Sequence, residues 1–524
     1  MFGRWSRRDL LKSSGAVAGA VTPVALAAPA LAQALPARTG TDADNLFTRI
    51  GVRPILNARG TYTIISGSRS LPEVKQAMFE ASHYHVQLDE LMDGIGAELA
   101  RLTGAEWGIA TNGCEAAIVQ ATVACIAGTD VEKAQALPEI KKLDQVIIPK
   151  HSRNQYDIGV RMVGVQVVEA ETPDELRARI TPRTAMIYVM SSPSEAKSAL
   201  PIRTICAIAK EKNVPVMVDA AAEEPIKPNI HLAAGATLVG YSGGKCLRGP
   251  QSSGMLIGRK DLCQAAYFHA APHHNYGRAL KCSKEESMGL LAAVRQWYRR
   301  DHDAEQRMWR GWLEHIEARL KPLPSTRFEY LQPDDLSNKS ARLRIFWDAK
   351  VLGITGTELV AKLDAGTPRI MVESGTGTRP GQMASTLTVM PYMMDPGEEK
   401  IVADALFAGM SKPGRYENPV VPKGAMVQLS GNWAVTIQYV RGQGEQHFIL
   451  QQDGANLSGS QKGEIYQGAI TGTVRAGTLE MLSRMPVPGS TIDWRFKGTA
   501  DGNTMSGTVN LGEYGIVPWT AVKT

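Results

Sequence analysis

Tyr241-Ser242-Gly243-Gly244-Lys245-Cys246-Leu247-Arg248-Gly249-Pro250-Gln251 decides how this chain is read. The run before it, Ala236 to Gly240, is short and apolar and reads as a buried strand. A lysine in a glycine-rich turn at the C-terminal end of such a strand has few purely structural uses. A second apolar run, Val214-Pro215-Val216-Met217-Val218, ends in Asp219. If both runs are strands of one parallel sheet, Asp219 and Lys245 emerge on the same edge. That is the edge at which open α/β sheets bind ligands.

An acid and a lysine converging there fit pyridoxal 5'-phosphate (PLP). Lys245 is the candidate Schiff-base residue, and Asp219 the carboxylate that keeps the pyridine nitrogen protonated so that the ring acts as an electron sink. Thr111-Asn112-Gly113-Cys114 passes from a strand into a helix, and free amides at a helix start suit the phosphate. Glu115 in that first turn would repel a phosphate, so it is expected to point elsewhere. Ser242 offers a hydroxyl to the same phosphate. His151 follows another strand at this edge and is a candidate to stack on the ring or orient the substrate. Arg59 and Arg369 are candidate carboxylate clamps, because a guanidinium fork matches a carboxylate with two hydrogen bonds. Each of these also has a plain structural use as a cap, a turn residue or a solvated arginine. His269, His273 and His274 lack an accompanying carboxylate or cysteine set, so no metal is expected.

Around this centre the chain alternates apolar strand-like runs with helical ones. Helices are expected over Leu71 to Leu102, Cys114 to Ala127, Asn154 to Val163 and Pro201 to Lys212, and a long one over Glu285 to Arg319. Repeated β-helix-β units imply a mostly parallel sheet with helices on both faces. The expected domains are a large PLP-binding domain at 46–320, a smaller α+β domain at 321–412 and a β-rich domain at 425–524. In the last of these, seven alternating runs from Trp433 to Leu511 are separated by turns such as Asp453-Gly454. They suggest seven or eight strands in an antiparallel barrel or sandwich with an accessory or oligomerising role.

The first 34 residues read as a twin-arginine export signal. Arg7 and Arg8 precede a weakly apolar Ala/Val/Gly run, and Ala30-Leu31-Ala32 offers small residues for cleavage. This predicts a periplasmic or otherwise exported protein that meets the twin-arginine translocon and acquires its PLP before export. No later stretch approaches a membrane span. The 524 residues carry a formal charge of +6, of which Arg4, Arg7, Arg8 and Lys12 against Asp9 account for half. The mature chain therefore gives no electrostatic case for nucleic acid. Six scattered cysteines form neither a disulfide framework nor a zinc pattern.

The segment Ser242-Gly243-Gly244-Lys245-x-Leu-Arg-Gly-Pro-Gln-Ser-Ser-Gly resembles the fold type I PLP enzymes of the selenocysteine synthase-like family. The branch it is most similar to holds the glucosaminate-6-phosphate ammonia-lyases. Asn57-Ala58-Arg59-Gly60-Thr61, Leu102-Thr103-Gly104-Ala105, Val218-Asp219-Ala220-Ala221-Ala222-Glu223 and Gly277-Arg278-Ala279-Leu280-Lys281 extend the resemblance, which spans about Leu46 to Met410. It implies an aspartate aminotransferase-like α/β fold, a homo-oligomer and active sites near subunit interfaces, with Gly249-Pro250-Gln251 or Arg278 serving a neighbour. It also implies a lyase of the α,β-elimination or ammonia-lyase type acting on an amino acid or amino sugar acid. The alternatives are selenium or sulfur transfer of the selenocysteine synthase type, and a non-catalytic exported binding protein on the same fold. Cys114-Glu115 in place of small residues, Glu224-Pro225-Ile226, the export signal and the terminal β-domain depart from the family pattern.

Overall fold

The computed structural model describes residues 44–524, apart from 334, 335, 380 and 421, so the twin-arginine segment lies outside the described residues. After a first strand, β1 (Ile55–Ala58), seven strands form one sheet: β2 (Trp107–Thr111), β3 (Gln145–Pro149), β4 (Gln166–Ala170), β5 (Thr184–Met190), β6 (Val216–Asp219), β7 (Leu238–Ser242) and β8 (Gly254–Gly258). Their spatial order is β2-β8-β7-β6-β5-β3-β4. β8 is antiparallel to both neighbours, and the other pairs are parallel. Strands β3, β6 and β8 are buried at every residue, as expected where helices cover both faces. The helix Gly113–Ala127 is apolar around nearly its whole circumference and packs against β7 and β8.

Two of the expected long helices are broken. Leu71 to Leu102 divides into Pro72–Ala81 and Leu88–Thr103, and Glu285 to Arg319 into Lys284–Trp297 and His302–Leu320. The second break is capped by Asp301, whose side chain accepts from the Ala304 N–H. Asn154 to Val163 is helical over most of its length, as a 3-10 turn at Gln155–Asp157 that runs into a short α-helix at Ile158–Arg161.

The smaller unit contains β9 (Arg327–Leu331), β10 (Arg342–Asp348), β11 (Arg369–Val372) and β12 (Ala384–Val389). An antiparallel sheet runs β12-β10-β9, while β11 pairs in parallel with β1, Ile55 opposite Arg369. Its core joins Leu56 and Ala58 to Leu343, Ile345 and Leu387, and takes Trp312, Leu313, Ile316 and Leu320 from the helix His302–Leu320. The small-domain core therefore includes β1 and a helix, both within the span 46–320 expected for the large domain.

The C-terminal strands close into an eight-stranded antiparallel barrel: β13 (Gly431–Gln438), β14 (Gln443–Asp453), β15 (Asn456–Lys462), β16 (Gln467–Arg475), β17 (Thr478–Val487), β18 (Ser490–Ala500), β19 (Thr504–Asn510) and β20 (Ile516–Lys523). Trp433, Phe448, Phe496 and Trp519 fill its interior, with Phe496 edge-on to Phe448 and Trp519 at 5.2 Å each. β20 pairs with β13 and so removes the sheet edges. The barrel touches the large domain at the β17–β18 turn. Gly489 (φ 75°) lies so close that a Cβ there would meet the Asn154 carbonyl oxygen at 2.2 Å. No helix among the described residues is long and apolar enough to cross a membrane.

Candidate active site

Parallel pairing of β6 with β7 puts Asp219 opposite Gly240, so Asp219 and the turn after Ser242 share the C-terminal edge. That turn is held by backbone bonds from Gly243 N to Ser253 O and from Gly249 N to Gly243 O, both 2.7 Å. Its glycines are steric necessities. A Cβ on Gly243 would fall 2.1 Å from Ser253 Oγ, and one on Gly244 2.6 Å from Gln251 Cα. The chain after β1 lies across the turn. Ser68 N donates to Gly244 O at 2.9 Å, and Gln251 Nε2 to Thr63 O at 3.1 Å. Between them lies a cavity of about 210 Å³, lined among others by Thr63, Gly113, Cys114, Glu115, Tyr156, Asp219, Ser242, Lys245 and Gln251.

The Asp219 side chain is buried. Oδ1 accepts from Ala221 N–H (3.0 Å) and the Cys114 thiol (3.4 Å), and Oδ2 from the Tyr188 hydroxyl (2.9 Å). Burial, then the charge of Asp219, push the Cys114 thiol well above its ordinary range, so it stays a donor. Among the described residues no Lys, Arg or His pairs with Asp219, and the side chain of Lys245, half-buried, makes neither a hydrogen bond nor an ion pair. A buried carboxylate without a counter-ion is costly unless a ligand completes it.

PLP fits this arrangement. Its ring N–H answers the open carboxylate, and its carbonyl carbon the free lysine. Asn112, the N-cap of the helix Gly113–Ala127, makes no side-chain cap, which leaves the first-turn amides for a phosphate. Ser242 stands beside them. It pairs with Gly254, whose missing Cβ would lie 2.8 Å from the Cys114 nitrogen.

The structure brings Lys245, Asp219, Ser242, Gly113 and Cys114 into one cavity, but the other expected residues are elsewhere. The Thr111 hydroxyl turns back to Gly113 O (2.8 Å), and Asn112 Nδ2 reaches Lys281 O (3.3 Å). The His151 ring is tied to Leu200 O (3.1 Å) and Ser152 Oγ (3.0 Å) and does not line the cavity. Arg369 is committed to Asp364 at 2.6 Å. Arg59 lies over the Tyr62 ring (4.4 Å) in a neighbouring cleft. Gln251 lines the cavity of its own chain.

Two residues were missed. Tyr188 sits mid-strand in an apolar run, with nothing local to mark it as the partner of Asp219. Glu115 is the second: it is among the residues that line the cavity, while its buried carboxyl oxygen lies against Gly159. Burial, then the charge of Asp219, lift its carboxyl to about 7, against an opposing hydrogen bond from Gly159 N–H. A proton on Glu115 removes the repulsion that a phosphate at this helix start would otherwise meet.

Comparison with known proteins agrees with the geometry. The family described as Cys/Met metabolism PLP-dependent enzyme matches residues 89–283. A 5'-C-glycyluridine monooxygenase-decarboxylase of a Streptomyces species is 30% identical over 372 residues, 68% of this chain and 90% of that protein. The chain belongs to this PLP-dependent enzyme family. The D-glucosaminate-6-phosphate ammonia lyase of Salmonella typhimurium is 28% identical over 334 residues, 62% of this chain and 87% of that one. A solved D-glucosaminate-6-phosphate ammonia-lyase superposes with a TM-score of 0.62 at 24% identity, covering 71% of this chain and all of the other, which establishes the shared fold. The protein is accordingly a PLP-dependent enzyme of a family of lyases and transferases.

The raised Glu115 carboxyl has a consequence for stability. Its folded value of about 7 lies above the ordinary 4.5, so its contribution is full below about 4.5 and is lost as pH rises through 7. Glu115→Gln lacks this loss. The Tm of the apo variant minus that of the wild type should therefore grow between pH 4.5 and 8. A difference constant across that range would show that Glu115 titrates normally.

Proposed function

We propose that this enzyme is a lyase acting on an α-amino acid whose side chain is a hydroxylated, sugar-derived skeleton, as in an amino sugar acid. The observation that carries the reading is the pair of uncompensated charges, Asp219 and Lys245, lining one cavity. The substrates named for the two relatives, 5'-C-glycyluridine and D-glucosaminate-6-phosphate, both join an amino acid to a sugar skeleton, which supports the substrate class.

Bound PLP supplies an electron sink for a carbanion at the substrate's α-carbon. The remaining work falls to the chain. Lys245, once free, is the base placed to take the α-proton, because its turn is fixed by the glycine contacts and the overlying Ser68 and Gln251 bonds. Asp219 holds a proton at the ring nitrogen, oriented by Tyr188, Cys114 and the Ala221 amide. Glu115, balanced between its two protonation states near neutrality, is placed to donate a proton to a departing hydroxyl or amine. Ser242 and the amides of Gly113 and Cys114 would hold the phosphate.

We further propose that residues 1–34 direct twin-arginine export of the folded, PLP-loaded chain, and that the mature protein is a homo-oligomer. The exposed Phe47, Ile50, Ile64 (85%), Phe79 and Tyr84 supply apolar surface for a second copy.

Borohydride reduction of the purified holoenzyme, followed by peptide mapping, should fix the cofactor on Lys245. A label on another lysine, or no label after incubation with PLP, contradicts the enzyme reading. Replacing Arg7 and Arg8 by lysine should retain the protein in the cytoplasmic fraction, whereas unchanged export would refute the targeting. Light scattering should give at least twice the chain mass, and a monomer at micromolar concentration counts against assembly.

A further inference from the structure

We infer that the cleft beside the cofactor cavity is a subsite for an oxyanion carried on the distal, hydroxylated end of the substrate, with Arg59 as its anchor. This rests on the lyase reading above and adds to it the part of the substrate that the cofactor cavity does not touch.

The cleft, about 500 Å³, lies where the parallel strands β1 and β11 both end, at Arg59 and at Glu373-Ser374. One wall is a face of the small antiparallel sheet. There Arg344 stands opposite Thr388, and Phe346 opposite Thr386. Arg59 is the unusual group. Its Nε is buried without a hydrogen-bond partner. Among the described residues its guanidinium makes no hydrogen bond and no ion pair, and it lies over the Tyr62 ring at 4.4 Å. A half-buried guanidinium left this way lacks the anion its fork is shaped for. The other charges of the cleft are already engaged. Glu373 faces Arg342 at 3.8 Å, and Arg344 faces Glu329 at 3.8 Å from a more exposed position. The site thus presents one uncommitted positive charge, a second cation nearby, the Thr388 hydroxyl and the Thr376 and Thr386 hydroxyls, which bond each other at 2.8 Å. That set suits an anionic polyol and offers little to an apolar chain.

The cleft and the cofactor cavity are neighbours along the chain, Tyr62 lining one and Thr63 the other. A substrate with its amine at Lys245 and its skeleton passing this wall would bring its far end to Arg59. Arg59 therefore acts on the distal anion and not as the clamp of the α-carboxylate.

The test uses the PLP-loaded enzyme and ligands that lack an amine. Binding of D-gluconate and of glycerol 3-phosphate is measured by calorimetry for the wild type, Arg59→Gln and Arg344→Gln, with the visible absorption of the lysine-bound cofactor as the control for an intact site. At least one ligand should bind the wild type, weaken about tenfold or more in Arg59→Gln and weaken less in Arg344→Gln, with the absorption unchanged. Loss of gluconate binding identifies the anion as a carboxylate, and loss of glycerol phosphate binding as a phosphate. Failure of both ligands to bind an enzyme that shows the cofactor band, or equal affinity in Arg59→Gln, overturns the subsite and leaves the lyase reading standing. Absence of the band in the wild type is instead the failure of that reading. Should Arg59→Gln not fold, Arg59→Met, which keeps the stem over Tyr62 and removes the charge, takes its place, and wild-type affinity for the ligand in that variant overturns the subsite.

Discussion

A buried carboxylate with no cation, facing a lysine with no anion, is the constraint on which this structure turns. Removing one charge from water costs several kcal/mol even after relaxation, on the order of a large share of a domain's net stability. The chain meets that cost with three donors from three places: the Tyr188 hydroxyl from β5, the Cys114 thiol from the first turn of a buried helix, and the Ala221 amide just past β6. Asp219 and Lys245 line the same cavity without pairing to each other. A protonated ring nitrogen would supply the cation that the carboxylate lacks. The fold is therefore organised for PLP before any cofactor atom is considered.

How much of this was legible depended on how local the signal was. Asp219 and Ser242 were readable because each ends a strand in a short apolar run, and Lys245 because it follows one in a glycine-rich turn; the parallel pairing then fixes a shared edge. The barrel was readable from alternation, although β20 was not among its assigned strands, because Pro518 weakens a strand pattern. Tyr188 was not readable, since a tyrosine in a run such as Thr184–Met190 looks like core until its partner across the sheet is known. The pairing of β1 with β11 joins segments far apart in sequence, and no local pattern announces it. His151 and Arg369 were plausible by position and type. Their side chains are instead satisfied by Leu200, Ser152 and Asp364, a matter of tertiary contact that spacing does not encode.

The match to the PLP-dependent family falls within the large domain, at residues 89–283. The cleft at Arg59 is built from β1, β10, β11 and β12, which lie outside that span. Lys245 and Asp219 thus lie within the matched span, and Arg59 lies outside it. No barrel residue is among those lining the cofactor cavity or the Arg59 cleft. The barrel's β17–β18 turn rests on Asn154, two residues before Tyr156, which lines the cavity.

The central claim is that Asp219 keeps a proton on the nitrogen of the bound ring. Nitrogen-15 NMR of the holoenzyme, loaded with ring-labelled PLP, reads that proton directly. The account predicts a pyridinium shift in the wild type across neutral pH and an unprotonated-ring shift in Asp219→Ala. An unprotonated ring in the wild type, or a pyridinium that persists in Asp219→Ala, would contradict it.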